Sequence, residues 1–118
     1  MGLFSRFIGK DGEEQAVMFL KKKHYKILTR NYRTYYGEID IVAKIKETIV
    51  FVEVKSRKND TMGRPEEWVT YQKRKKIVSA AKKYISSNEL NEKNFRFDVI
   101  AILDGEITHL ENVFDENA

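Results

Sequence analysis

Asp40, Glu53 and Lys55 are the residues of this chain whose types and spacing could do chemistry. They interrupt GEIDIVAKIKETIVFVEVKSR, residues 37–57, which otherwise reads as two apolar strands folded back on each other. Period-2 alternation puts Ile39, Ile41, Ala43 and Ile45 on one face of the first strand, and Asp40, Val42 and Lys44 on the other. In the second strand Ile49, Phe51, Glu53 and Lys55 share a face. If Lys46-Glu47 is a two-residue turn, Ile45 faces Thr48 and Asp40 falls opposite Glu53. Directly opposed side chains have Cβ atoms about 4.5–5.5 Å apart, so the two carboxylates are placed to share one cation. Lys46-Glu47 is not a favoured hairpin turn, which usually wants Asn or Gly. A longer loop would shift the register and separate the pair.

The chemistry implied is metal-dependent cutting of a phosphodiester bond. Two close carboxylates are costly to ionise in a partly dry site, and a divalent cation removes that cost. Hard oxygen ligands suit Mg²⁺ or Mn²⁺, and Mg²⁺ takes one or two carboxylates while keeping waters and substrate phosphate. Lys55 lies two residues past Glu53 on the same face. It is placed to orient the attacking water or to hold its developing charge. The alternative for the same residues is a structural ion pair of Lys55 with Glu53 or Asp40 on a half-solvated face.

The elements that must position these residues can be read around the hairpin. Residues 11–25 have helical spacing, with Asp11 as a cap, Glu14 three residues on as in a capping box, and Ala16, Val17, Leu20 and His24 as the inner stripe. Glu13 opens that stripe and points toward the core edge; Glu14 is turned from it by about 100°. A short strand is expected over 26–31. After a polar loop over 56–65, a long helix is expected over 66–86, with Val69, Ile77, Ala80, Ala81 and Tyr84 inward. Lys73 lies four residues from both Val69 and Ile77 and so falls on the same stripe. Residues 95–103 read as a strand and 108–114 as a last, edge strand. The order is that of an α/β sandwich around a mixed sheet.

Composition narrows the function classes. The 118 residues fit one domain, taken as 1–118, with 1–10 an N-terminal extension and 104–118 an acidic C-terminal segment. The chain has no cysteine, which excludes disulfides and thiolate metal sites and suits a reducing cytoplasm. No apolar run approaches the length of a membrane span, and the opening residues lack a secretory pattern. The net charge of +4 is uneven: the segment from Asp104 onward has acidic residues and no Lys or Arg, so the body before it is strongly basic. Basic groups cluster at Lys21-Lys22-Lys23, Arg30 and Arg33, Arg57-Lys58, and Lys73 to Lys76. Such a body suits a polyanion, although any one cluster also reads as a solvated helix face. Trp68 and Tyr35-Tyr36 are candidates for stacking on unpaired bases, with plain packing as the alternative.

Together, Gly12-Glu13 with Ala16, Phe19 and Leu20, then ILTRNYR (27–33), Gly37-Glu38-Ile39-Asp40, FVEVKSR (51–57), Val69 with Lys73, and Arg96-Phe97-Asp98-Val99 resemble the YraN-like family. That family is placed in the restriction-endonuclease-like superfamily, the PD-(D/E)XK nucleases, near archaeal-type Holliday junction resolvases. The resemblance implies a three-layer sandwich with a mixed central sheet flanked by helices. It implies that Asp40 and Glu53 bind the metal, assisted by the carbonyl of Val54, and that Lys55 is the catalytic lysine. Glu13 matches an acidic residue on the first helix of the resolvases, and Lys73 a basic position on the second helix that can face the site. Ile39 stands where the superfamily name has proline. DNA is the expected partner, with Lys73, Arg57, Arg33 and Lys75 on its backbone, and a homodimer follows by analogy.

The leading expectation is therefore a Mg²⁺-dependent nuclease acting on DNA, including branched or structured DNA. The alternative is a nucleic-acid-binding module that keeps the fold without chemistry. A third class, a protein-interaction domain docking through its acidic segment, has only charge behind it. Glu38 has two readings, an outer partner of the metal site or an ion pair with Arg33.

Overall fold

A computed structural model of the chain describes residues 2–57, 67–90 and 94–116, with side chains from Gly12 onward. Helix α1 (Gly2–Lys22) leads into strand β1 (Lys26–Arg33), the hairpin β2 (Glu38–Ile45) and β3 (Thr48–Arg57), helix α2 (Tyr71–Ser87), and strands β4 (Asn94–Leu103) and β5 (Glu106–Phe114). The five strands form one mixed sheet in the order β1-β2-β3-β4-β5. Only β3 and β4 are parallel, joined by the crossover that contains α2; the other pairs are antiparallel.

Each face of the sheet carries one helix. Ala16, Val17 and Leu20 of α1 pack on Ile41, Ala43, Val50, Val52, Ile100 and Ile102. Ile77, Val78, Ala80, Ala81 and Tyr84 of α2 pack on Val42, Ile49, Phe51, Phe97 and Val99. The alternation read from β3 holds: odd residues face α2 and even ones face α1 as far as Val54. Among the described residues no helix is long and apolar enough to cross a membrane.

Several boundaries differ from the sequence reading. Helix α1 begins at Gly2, so Asp11 lies inside it instead of capping it, and residues 2–10 continue the helix. Leu3, Phe4, Phe7 and Ile8 already have helical spacing. The helix stops at Lys22, where His24 takes a left-handed φ of 71° and the N–H groups of His24 and Tyr25 bond to Lys21 and Leu20, a Schellman closure. His24 is consequently exposed, and Tyr25 takes the buried place expected of it. Helix α2 starts at Tyr71, not 66, because the Thr70 hydroxyl accepts the Lys73 N–H at 3.2 Å and caps it. The loop over 58–65 lies outside the described residues.

The acidic segment is part of the sheet. Asp104 and Gly105 both have positive φ, 50° and 84°, and turn β4 into β5, as an Asp-Gly hairpin pair does. A buried network ties β5 down. Arg96 grips Asp98 through two 2.9 Å bonds, His109 Nε2 lies 2.7 Å from Asp98 Oδ2, and the Asn112 N–H reaches Oδ1. With Nε2 protonated, His109 can accept at Nδ1 from Lys23, 3.1 Å away. Burial alone would raise the carboxyl pKa of Asp98, but the bonds from His109, Arg96 and Asn112 outweigh it and hold the pKa below its usual value.

Candidate functional site

The β2–β3 hairpin closes with Ile45 paired to Thr48, so Lys46-Glu47 is a two-residue turn, with Lys46 in the left-handed region at φ 53°. The ladder then runs regularly to Ile41 and Val52. The next position brings Asp40 opposite Glu53, and there the strands part. Asp40 Oδ2 takes the N–H of Val54 at 2.8 Å, so a side-chain carboxylate continues the ladder.

The site lies where the strands change faces. Asn31 of β1 has a φ of 53°, a conformation Asn tolerates better than most residues. Thr29 and Tyr32 both meet Tyr84 on α2, whereas Arg30 between them reaches Glu14 on α1 at 3.1 Å. The flanking part of β2 follows. Ile39 packs with Val42 on the α2 side while Ile41 packs on the α1 side. Strict alternation had put Ile39 with Ile41; the local twist at Asn31 overrides it and leaves Asp40 at the changeover.

Glu53 is only 4% exposed, yet two lysines hold it. Lys55 Nζ is 3.4 Å and Lys73 Nζ 3.2 Å from Glu53 Oε2. Lys73 thus arrives from α2 at the place its helical spacing gave it. The carboxyl pKa of Asp40 is pushed up from 3.8 to about 8. Burial is the largest cause, followed by the charge of Glu53 and a hydrogen bond shared with it; the Val54 N–H opposes them and Glu13 adds to them. Without a cation Asp40 therefore keeps its proton up to about neutral pH. Glu13 Oε1 is buried and accepts no hydrogen bond from the described residues.

These oxygens bear on whether a divalent cation fits. Among the described residues no three acidic or histidine side chains form a ready cage. One or two carboxylates are nonetheless what Mg²⁺ commonly takes from a protein. The raised pKa of Asp40 and the unpartnered Glu13 oxygen leave carboxyl oxygens on the Asp40 side that a cation would satisfy. Val54 meets Asp40 through its N–H.

The remaining candidates are more dispersed. Arg33 pairs with Glu38 at 3.4 Å on the surface, which settles Glu38 as its ion-pair partner in this structure. Arg57 lies over the Trp68 ring at 5.3 Å, and Lys75 over Tyr71 at 4.9 Å. Trp68 is 7% exposed and is a packing residue, whereas Tyr35 and Tyr36 stand in solvent. The sequence reading placed Gly37 in a motif but gave it no role. A Cβ there would sit 2.6 Å from the Lys76 carbonyl oxygen, so the β1–β2 turn lies directly on the α2 backbone. It also missed the Asp98–His109 network, whose signal was an Asp inside an otherwise apolar strand.

These features define an α/β protein with one helix on each face of a five-stranded mixed sheet and a carboxylate–lysine cluster where β2 and β3 part. A family model described as "Uncharacterised protein family UPF0102" matches residues 12–102, and the chain belongs to that family, the YraN-like family its motifs resemble. It is 42% identical over 113 residues to a UPF0102 protein of Persephonella marina, covering 96% of this chain and 97% of that one. It is 50% identical to UPF0102 proteins of Clostridium acetobutylicum, over 91% of this chain and 85% of the relative, and of Clostridioides difficile, over 90% and 95%.

Proposed function

We propose that this protein is a divalent-metal-dependent nuclease that cleaves phosphodiester bonds in DNA. The observation that carries the reading is the buried Asp40–Glu53 carboxyl pair, joined by a hydrogen bond and flanked by Lys55 and Lys73. A mixed sheet with a helix on each face agrees with the restriction-endonuclease-like fold that the motifs imply. Fold alone does not carry activity; the site does.

Asp40 and Glu53, with the Val54 carbonyl, would hold Mg²⁺ or Mn²⁺. Such an ion polarises a phosphoryl oxygen and lowers the pKa of bound water. Lys55 keeps its ammonium at the buried Glu53 oxygen and so places a positive charge beside the attacking water. Lys73 brings a second positive charge from α2 to receive a substrate phosphate. Glu13 orients water from the α1 side with its unpartnered oxygen. Arg33, Arg57 and Lys75 lie outside the cluster and contact the phosphate backbone. A dimer would present two such sites to a two-fold symmetric junction.

The deciding experiment is a cleavage panel of linear, flapped and four-way DNA with Mg²⁺, Mn²⁺ or EDTA. The proposal expects cleavage with either metal, none with EDTA, and none from Asp40→Asn or Lys55→Ala. DNA binding that persists in every lane without any cut would replace it by the alternative, a binding module in which Lys55 and Lys73 are structural partners of Glu53.

A further inference from the structure

The β1–β2 turn presents two aromatic rings that the fold does not use. Tyr35 is 96% exposed and Tyr36 63%, with ring centroids 5.2 Å apart in an edge-on arrangement. The turn beneath them is tightly held. Thr34 donates its N–H and its hydroxyl to the Gly37 carbonyl at 2.8 and 2.9 Å, and the same hydroxyl oxygen accepts the N–H groups of Tyr36 and Gly37. Gly37 then rests against the Lys76 backbone so closely that a Cβ would collide with it. These are exposed rings on a fixed base.

The rings border a cleft of about 420 Å³ that is also lined by Arg33, Lys73, Lys76 and Ile77. Lys73 belongs to the carboxylate–lysine cluster as well, so the cleft runs up to that cluster. Its wall combines aromatic faces with the basic groups of Arg33, Lys73 and Lys76, against the single carboxylate of Glu38 that pairs with Arg33, and aromatic faces with basic groups bind single-stranded nucleic acid by stacking bases and tracking phosphates. A base inside an intact duplex has both faces covered by its neighbours and cannot use such a wall. The volume falls within the usual size of small-ligand pockets.

We infer that Tyr35 and Tyr36 form a stacking platform for an unpaired nucleotide, which selects DNA with a gap, flap or branch for the adjoining site. The inference rests on the nuclease reading for its biological use but is tested without cleavage. In EDTA, fluorescein-labelled duplexes with and without a short gap are titrated with wild type, the Tyr35→Ala/Tyr36→Ala variant and the Tyr35→Phe/Tyr36→Phe variant. Stacking is sequence-tolerant, and losing it typically weakens binding about tenfold per base. Wild type and the Phe variant should prefer gapped DNA by about that factor and quench 2-aminopurine placed in the gap. The Ala variant should bind both duplexes alike, with unchanged affinity for the intact one. An Ala variant that keeps the preference, or a wild type that shows none, overturns the platform, including the case where the rings serve a protein partner. Preference in EDTA without metal-dependent cleavage would overturn the nuclease reading alone, and cleavage without preference the platform alone.

Discussion

Asp40→Asn should make the metal-free protein more stable at alkaline pH, although it removes the central residue of the site. Asn keeps an oxygen to accept the Val54 N–H and adds an N–H donor toward Glu53, reproducing the protonated form of Asp40 at every pH. The wild-type carboxyl is raised from 3.8 to about 8 in the fold. The folded state thus binds a proton that the unfolded chain releases, and stability falls as pH rises between these values. Each factor of ten in proton affinity is worth about 1.4 kcal/mol, and the whole interval about 6 kcal/mol. Water reaches one side of Asp40, and screening there brings the expected difference down to about 3 kcal/mol. For a chain of this length that is a Tm difference of roughly 12 °C. Thermal melts in EDTA should show the variant level with wild type at pH 4 and ahead by that amount at pH 8.5. Mn²⁺ at 100 times its Kd should return about 2.7 kcal/mol to wild type and nothing to the variant. A variant melting at or below wild type at pH 8.5, or a gap that does not change with pH, would refute the reasoning.

Gly37→Ala should lower stability by about 1–3 kcal/mol, as overpacking does, and should slow cleavage, because its new methyl displaces the helix that carries Lys73; an unchanged melt would mean the turn has room to shift. Lys73→Ala should reduce single-turnover cleavage more than DNA affinity, and Lys75→Ala the reverse, with the salt slope of binding falling by about 0.9 for each duplex phosphate that the variant no longer neutralises; indistinguishable variants would place both lysines on one solvated face. Asp98→Ala removes the carboxylate shared by Arg96, His109 and the Asn112 N–H, leaving Arg96 with Glu111 and the Tyr25 hydroxyl, and should cost about 3 kcal/mol in chemical denaturation. Because its folded pKa is lowered, the contribution of Asp98 is present above about pH 4 and lost as pH falls through the folded value, so melts of wild type and variant should converge in acid.

The hairpin was legible as two apolar runs broken only by Asp40, Glu53 and Lys55, whereas its register hung on a two-residue turn that Lys46-Glu47 does not advertise and that a left-handed Lys46 makes possible. Lys73 was legible for the same kind of reason, since four-residue spacing to Ile77 fixes its side of the helix. Ile39 was not, because a left-handed Asn31 on the neighbouring strand changes the face of residues across the ladder, and no pattern within β2 reports it. The start of α2 was set by one Thr70 hydroxyl, a local bond that hydrophobic spacing ignores. The edge strand read over 108–114 is present as β5 and begins two residues earlier, because the Asp104-Gly105 turn leads straight into it. Lys55 and Asp40 were legible by type and place, but the raised pKa of Asp40 comes first from burial, which no pattern within the hairpin reports.

The bond from the Val54 amide to Asp40 gives the chain an internal reporter. A backbone proton held by a carboxylate resonates far from one held by a neutral acid, and exchanges with solvent at a different rate. Amide spectra of this single residue, followed against pH or added Mg²⁺, would read the charge on the site directly, in the unmodified protein and with no substrate present.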